Sequence, residues 1–143
     1  MIDIKNKGLT LDTCFLIQVF KHPEMASFYV HQGLYGKKIY ITEIALNEAE
    51  HVGFDKTQIL LKMNKVFGKI IVRPVSTEER LFGNRLEKTC STLHSGDSAI
   101  LAFAKRNKTT LITLDKNLAR SCEFFDVDCA CFSLVQNGEM VEK

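Results

Sequence analysis

The sequence predicts an α/β domain, a three-layer α/β/α sandwich around a central, mainly parallel sheet of about five strands. Three observations predict it. Short apolar runs of strand character alternate with helical patterns along the chain. Those runs do not alternate strictly between apolar and polar residues, as expected of strands covered on both faces. The length of 143 residues is also enough for one sizeable core, because a chain of that size buries roughly two-thirds of its unfolded surface. With no repeat, linker or composition shift in view, residues 1–143 are expected to form a single domain.

The elements follow in order. Leu9–Asp12 is the first strand, and Thr13–Phe20 the helix after it. A second apolar helical pattern spans His22–Gln32, with Pro23 suited to a first turn. Its Met25, Phe28 and Tyr29 suit the core better than a dimer face. Lys38–Thr42 is the second strand, followed by helices at Glu43–Val52 and Asp55–Phe67. After the third strand, Lys69–Arg73, the run Ser76-Thr77-Glu78-Glu79 is a capping box opening a helix toward Cys90. Ser95 caps a helix through Arg106 that feeds the fourth strand, Thr109–Leu114. Lys116–Phe124 is a last, short helix, and Cys129–Leu134 the fifth strand.

Composition narrows the function classes. Hydrophobic residues make up 45% and charged residues 25%, as in a soluble globular protein. No run of about 18 apolar residues exists to span a membrane, and Met1–Lys7 lacks the apolar core of a signal peptide. The expected compartment is the cytoplasm. Nineteen basic residues stand against 17 acidic, a net charge of +2, which is too even for nucleic-acid binding by bulk electrostatics. Any such reading has to come from a site. The five cysteines include no Cys-x-x-Cys, and they read as reduced, buried thiols. His22, His31, His51 and His94 do not match zinc spacing and read as surface or structural residues.

Four carboxylates stand out. Asp12 ends the first strand and Asp115 the fourth, so parallel strands deliver both to one edge of the sheet. On a helix over Glu43–Val52, a step of about 100° per residue places Ile44, Ala45, Ala49 and Val52 on one arc. Glu48 falls inside that arc, while Glu43, Asn47 and Glu50 fall opposite, with Leu46 near them. Asp97 likewise lies on the stripe of Ile100, Leu101 and Ala104, at the start of the helix that feeds the fourth strand. Each Asp taken singly is also a good helix cap. Capping does not explain two carboxylates aimed along core-facing stripes.

Two like charges 4 Å apart repel by about 4 kcal/mol at an effective dielectric near 20. No Arg or Lys lies on the inward stripes, so the natural compensator is a divalent cation. An all-oxygen ligand set favours Mg²⁺ or Mn²⁺ over zinc.

This constellation resembles the PIN domain, the nuclease fold of VapC-type toxins and related ribonucleases. The resemblance runs through nearly the whole chain. It is carried by Leu11-Asp12-Thr13, by Glu48 in Ala45-Leu46-Asn47-Glu48-Ala49, by Gly96-Asp97-Ser98-Ala99-Ile100 and by Leu111-Ile112-Thr113-Leu114-Asp115. It implies a Mg²⁺- or Mn²⁺-dependent ribonuclease, frequent homodimers and, in the toxin branch, an antitoxin protein partner. The family's acids carry over onto Asp12, Glu48, Asp97 and Asp115 as catalytic and metal-binding residues. Thr113 corresponds to the family's hydroxyl residue before the last acid, and Thr13 and Asn117 adjoin the acids as supporting groups. There are departures: Cys14 stands where many relatives have Asn, Asn117 where some have another acid, and Ser98 where Ala is frequent.

The expected chemistry is hydrolysis of phosphodiester bonds in single-stranded RNA, with one or two metal ions held by the four acids. Lys116 and Arg120, one turn apart after Asp115, either flank the site and hold phosphate or are solvated helix charges. Two alternatives remain within the resemblance: an inactive module that binds RNA or a protein, and a nuclease of RNA processing rather than a toxin. A receiver-like domain is disfavoured, because Arg73-Pro74-Val75 follows the third strand where such a domain carries an Asp.

Overall fold

The computed structural model describes residues 8–25, 28, 37–89, 95–134 and 140–142. The strands are β1 (Gly8–Leu11), β2 (Lys38–Thr42), β3 (Ile70–Arg73), β4 (Thr110–Thr113), β5 (Cys129–Leu134) and β6 (Met140–Glu142). The helices are α1 (Thr13–Lys21), α2 (Glu43–His51), α3 (Lys56–Phe67), α4 (Thr77–Thr89), α5 (Ser95–Asn107) and α6 (Lys116–Phe124), with a 3₁₀ turn at Pro23–Met25. The strands form one sheet in the order β3-β2-β1-β4-β5-β6. Every pairing is parallel except β5 with β6.

That order determines where a site can lie. From β1 the chain winds outward through β2 and β3, then returns to the other side of β1 for β4 and β5. The direction of winding reverses between β1 and β4, and in open α/β sheets the crevice at such a reversal is the binding position. Asp12 and Asp115 follow those two strands. The Asp12 amide extends the ladder by donating to Ile112 O at 2.9 Å.

All four residues of β1 and of β4 are buried, as strands covered on both faces must be. The core joins Leu9, Leu11, Ile39, Ile41, Leu111 and Ile112 of the sheet to Phe15 and Leu16 of α1 and Ile100 and Leu101 of α5. The Phe15 and Phe28 rings each lie 5.8 Å from that of Phe132. The capping box forms as expected: Ser76 N donates to Glu79 Oε1 at 2.8 Å and Glu79 N to Ser76 Oγ at 3.1 Å. Glu79 Oε2 also accepts from Asn107 Nδ2 at 2.8 Å, so the cap ties α4 to the end of α5. A Cβ on Gly83 would stand 3.0 Å from Ser98 O, so α4 and α5 approach here at a distance that suits glycine.

The mainly parallel sheet of about five strands forms as expected, and a sixth, antiparallel strand, β6, pairs with β5 at one edge. Two expectations need correction. Pro23–Met25 is a 3₁₀ turn, so the helix expected over His22–Gln32 does not start at His22; Phe28 is helical, and residues 26, 27 and 29–32 lie outside the described residues. The buried face of α2 is Ala45, Leu46 and Ala49, whereas Val52 is 63% exposed. The reason is that α2 packs against α1, α3 and α5 at once, and that Val52 lies past its last turn. Among the described residues, no helix is long and apolar enough to cross a membrane.

Candidate active site

Asp12 occupies the N-cap position of α1, yet its side chain makes no capping hydrogen bond. The carboxylate turns instead into the β1–β4 crevice and is 3% exposed. Its Oδ2 accepts from Thr113 Oγ1 at 2.7 Å and from Cys14 Sγ at 3.0 Å. Its Oδ1 is buried without a hydrogen-bond partner, the one such side-chain atom among the described residues. Burial, and next the negative charge of Asp12, push the Cys14 thiol up to about 12. It therefore stays protonated and donates.

Thr113, fully buried, links the first acid to the last. Its Oγ1 donates to Asp12 and accepts from the Asp115 amide at 3.0 Å. Asp115 is half-buried, and its Oδ1 caps α6, accepting from the amides of Asn117 at 2.8 Å and Leu118 at 3.4 Å. The two strand-end aspartates thus differ. Asp115 does the work of a cap and Asp12 does not.

Glu48 lies at the rim. It is exposed rather than turned to the core, because the buried face of α2 is rotated away from it. Its carboxylate is nevertheless held in place. Oε1 accepts from Thr13 Oγ1 at 2.7 Å, and Oε2 lies over Gly96, where a Cβ would stand 2.5 Å away. Asp97, next in the chain, is half-buried in the first turn of α5. Side-chain and main-chain links therefore run from Glu48 through Thr13, Asp12 and Thr113 to Asp115, with Asp97 beside the Gly96 seat of Glu48. Among the described residues, no three Asp, Glu, His or Cys side chains stand close enough to hold one ion. Glu48 and Asp115 each have an oxygen engaged by local donors instead.

The residues fit a hard cation in two respects. A buried carboxylate oxygen without a donor is costly to leave so, and a cation would satisfy it. The acids offer an all-oxygen donor set, which suits Mg²⁺ or Mn²⁺.

Lys116, Asn117 and Arg120 are exposed on α6, beyond Asp115. Lys105 and Arg106 are engaged elsewhere, with Phe125 O at 2.7 Å and Glu78 at 2.8 Å. His51 is exposed and His22 bonds Glu24, while His31, His94 and Cys90 lie outside the described residues. No disulfide joins the described cysteines. Burial pushes the Cys131 thiol up, with Cys129 and Asp115 contributing. Sequence reasoning missed two participants, the Cys14 donor and the Gly96 seat. The Asp-x-Cys spacing and the glycine before Asp97 were their signals.

No family model matches the sequence, and no curated protein matches it. Solved structures do match the fold. VapBC2 from Rickettsia felis, solved bound to a DNA fragment from its promoter, superposes with a TM-score of 0.64 at 17% identity, over 85% of this chain and 96% of that one. FitAcB from Neisseria gonorrhoeae gives 0.58 at 16%, over 85% and 95%. The PIN domain endonuclease Utp24 gives 0.57 at 17%, over 95% of this chain and 90% of that one. This chain folds as a PIN domain. In this PIN fold Asp12, Thr113 and Asp115 border the crevice between β1 and β4, and Glu48 and the start of α5 meet at Gly96.

Proposed function

We propose that the chain is a Mg²⁺- or Mn²⁺-dependent endoribonuclease that hydrolyses phosphodiester bonds of single-stranded RNA. One observation carries the reading. Asp12 is a buried acid that forgoes the cap available to it and keeps Oδ1 without a partner at the reversal point of the sheet. Asp12 would hold the ion, and Glu48, Asp97 and Asp115 would have to close on it to complete the donor set. When bound, such an ion acidifies water and neutralises charge on phosphate oxygens.

The chain's own groups supply positioning. Thr113 orients Asp12, Thr13 holds Glu48, and Asn117 offers its main-chain amide to Asp115. Lys116 and Arg120 place positive charge beyond Asp115 for the substrate backbone. We further propose a cytoplasmic homodimer with a protein antitoxin, a reading supported by the structural likeness to VapBC2 and FitAcB.

The test is incubation of the purified chain with single-stranded RNA and Mn²⁺, with and without chelator. Cleavage that the chelator stops, and that Asp12→Asn abolishes, is the expected result. Cleavage indifferent to chelator overturns the proposal. Tight RNA binding without cleavage favours the second reading, a PIN module that binds RNA or a protein without cutting. The absence of a three-acid cluster among the described residues favours that alternative.

A further inference from the structure

Beside the acidic crevice lies a groove of about 320 Å³ lined by Ile44, Arg80, Asn84, Gly96, Ser98 and Ala99. We infer that this groove receives the sugar–phosphate backbone of the substrate strand, with Arg80 and Asn84 binding a phosphate next to the one cleaved. The inference rests on the nuclease reading and assigns a path to its substrate.

Three observations carry it. First, the groove adjoins the site: Gly96 lines it and is also the seat of the Glu48 carboxylate. A strand lying in the groove therefore passes directly by the Glu48 carboxylate. Second, its polar groups are donors suited to phosphate. Arg80 and Asn84 stand one turn apart on α4, and both are exposed. Among the described residues Arg80 forms no ion pair, whereas Arg106 is bound to Glu78 and Lys56 to Glu50. A guanidinium presents a planar fork that matches phosphate oxygens. Third, the floor is low. Gly96 has no side chain, and Ser98 and Ala99 have small ones, which lets a backbone come close. The volume sits at the small end of ligand clefts, roughly 300–1,000 Å³, and suits a single strand rather than a duplex.

Among the described residues no aromatic side chain lines the groove, so these residues offer no stacking platform. The grip is on the backbone and tolerates different bases.

The test uses a fluorescently labelled single-stranded RNA of mixed sequence, its binding read by anisotropy in chelator so that no cleavage intervenes. Arg80→Ala is expected to weaken binding about tenfold, and to reduce the slope of log K against log salt by roughly 0.7, the loss of one phosphate contact. Arg80→Lys restores part of the affinity, because the charge returns without the fork. Asn84→Ala weakens binding less. Arg85→Ala removes a charge from the same helix outside the groove and binds like the unaltered chain. Addition of the RNA shifts the NMR signals of the Gly96 amide and the Asn84 side-chain amide.

If Arg80→Ala and Asn84→Ala bind as the unaltered chain does while Mn²⁺-dependent cleavage persists, the groove assignment is overturned and the nuclease reading stands. If the unaltered chain neither binds nor cleaves the RNA, both fall. If it binds without cleaving and the groove variants still weaken binding, the nuclease reading falls, and the groove is an RNA-binding site with no cleaved phosphate beside it.

Discussion

Thr113 Oγ1 stands 2.7 Å from Asp12 Oδ2 across the β1–β4 pair, and the same hydroxyl oxygen accepts the Asp115 amide. One buried side chain therefore sets the positions of both strand-end acids. Thr113→Val keeps the shape and the β-branch but deletes both hydrogen bonds. A hydrogen bond to a charged group is worth about 1.5–3 kcal/mol. The variant is expected to lose about 2 kcal/mol of stability in urea unfolding, and RNA cleavage with it. An unchanged midpoint would mean that Asp12 does not depend on this threonine.

The contrast between the two aspartates gives a second test. Asp12→Asn removes a buried charge and costs no cap. The metal-free chain should hold its stability or gain about 1 kcal/mol, a rise of roughly 2–4 °C in melting temperature, while the thermal shift induced by Mn²⁺ disappears. Asp115→Ala loses a real cap and should cost about 1 kcal/mol. A chain destabilised equally by both changes would contradict the assignment of cap to Asp115 alone.

Gly96→Ala and Gly83→Ala separate site from scaffold. At Gly96 the added carbon meets the tip of Glu48, a flexible side chain that can swing out. Stability should change by less than about 1 kcal/mol, while cleavage falls because the carboxylate leaves its seat. At Gly83 the added carbon meets main-chain atoms of Ser98, which cannot yield without parting α4 from α5. The expected cost is about 1–3 kcal/mol. Chemical denaturation paired with a cleavage assay reads both variants.

Cys14 makes a pH prediction. Its thiol is pushed up to about 12 from its ordinary value of 9.0, by burial and then by the Asp12 charge. The folded value lies above the unfolded one, so the group's contribution to stability is complete below pH 9 and is lost as the pH rises through 12. At pH 8 the thiol is protonated and a poor nucleophile. Alkylation followed by mass spectrometry should find Cys14 protected in the folded chain and labelled in urea. Rapid labelling at pH 8 without denaturant would refute the burial argument.

How much of this was legible beforehand depends on the range of the interactions involved. β2 and β5 have the bounds expected from local pattern, and β1, β3 and β4 differ from it by a residue at one or both ends. The Ser76–Glu79 capping box forms because it is a contact within four residues of chain. The tilt of Glu48 was not legible in the same way. Periodicity placed it on the buried arc with Val52, but α2 is gripped from three sides and its buried face falls on Ala45, Leu46 and Ala49. A helical wheel assumes one apolar partner, and here there are several.

The sequence alone determined that acids end the first and fourth strands and stand on the two helices Glu43–His51 and Ser95–Asn107, since strand, helix and cap are governed by neighbours along the chain. Only the tertiary structure decided which acid is a cap and which is a buried carboxylate with an oxygen to spare. Asp12 and Asp115 look alike in local context, and what separates them is Thr113, a hundred and one residues from Asp12 in the chain and 2.7 Å from it in space. Hydrogen bonds of that span exist only after the sheet has brought β1 and β4 together, so no window of sequence contains them.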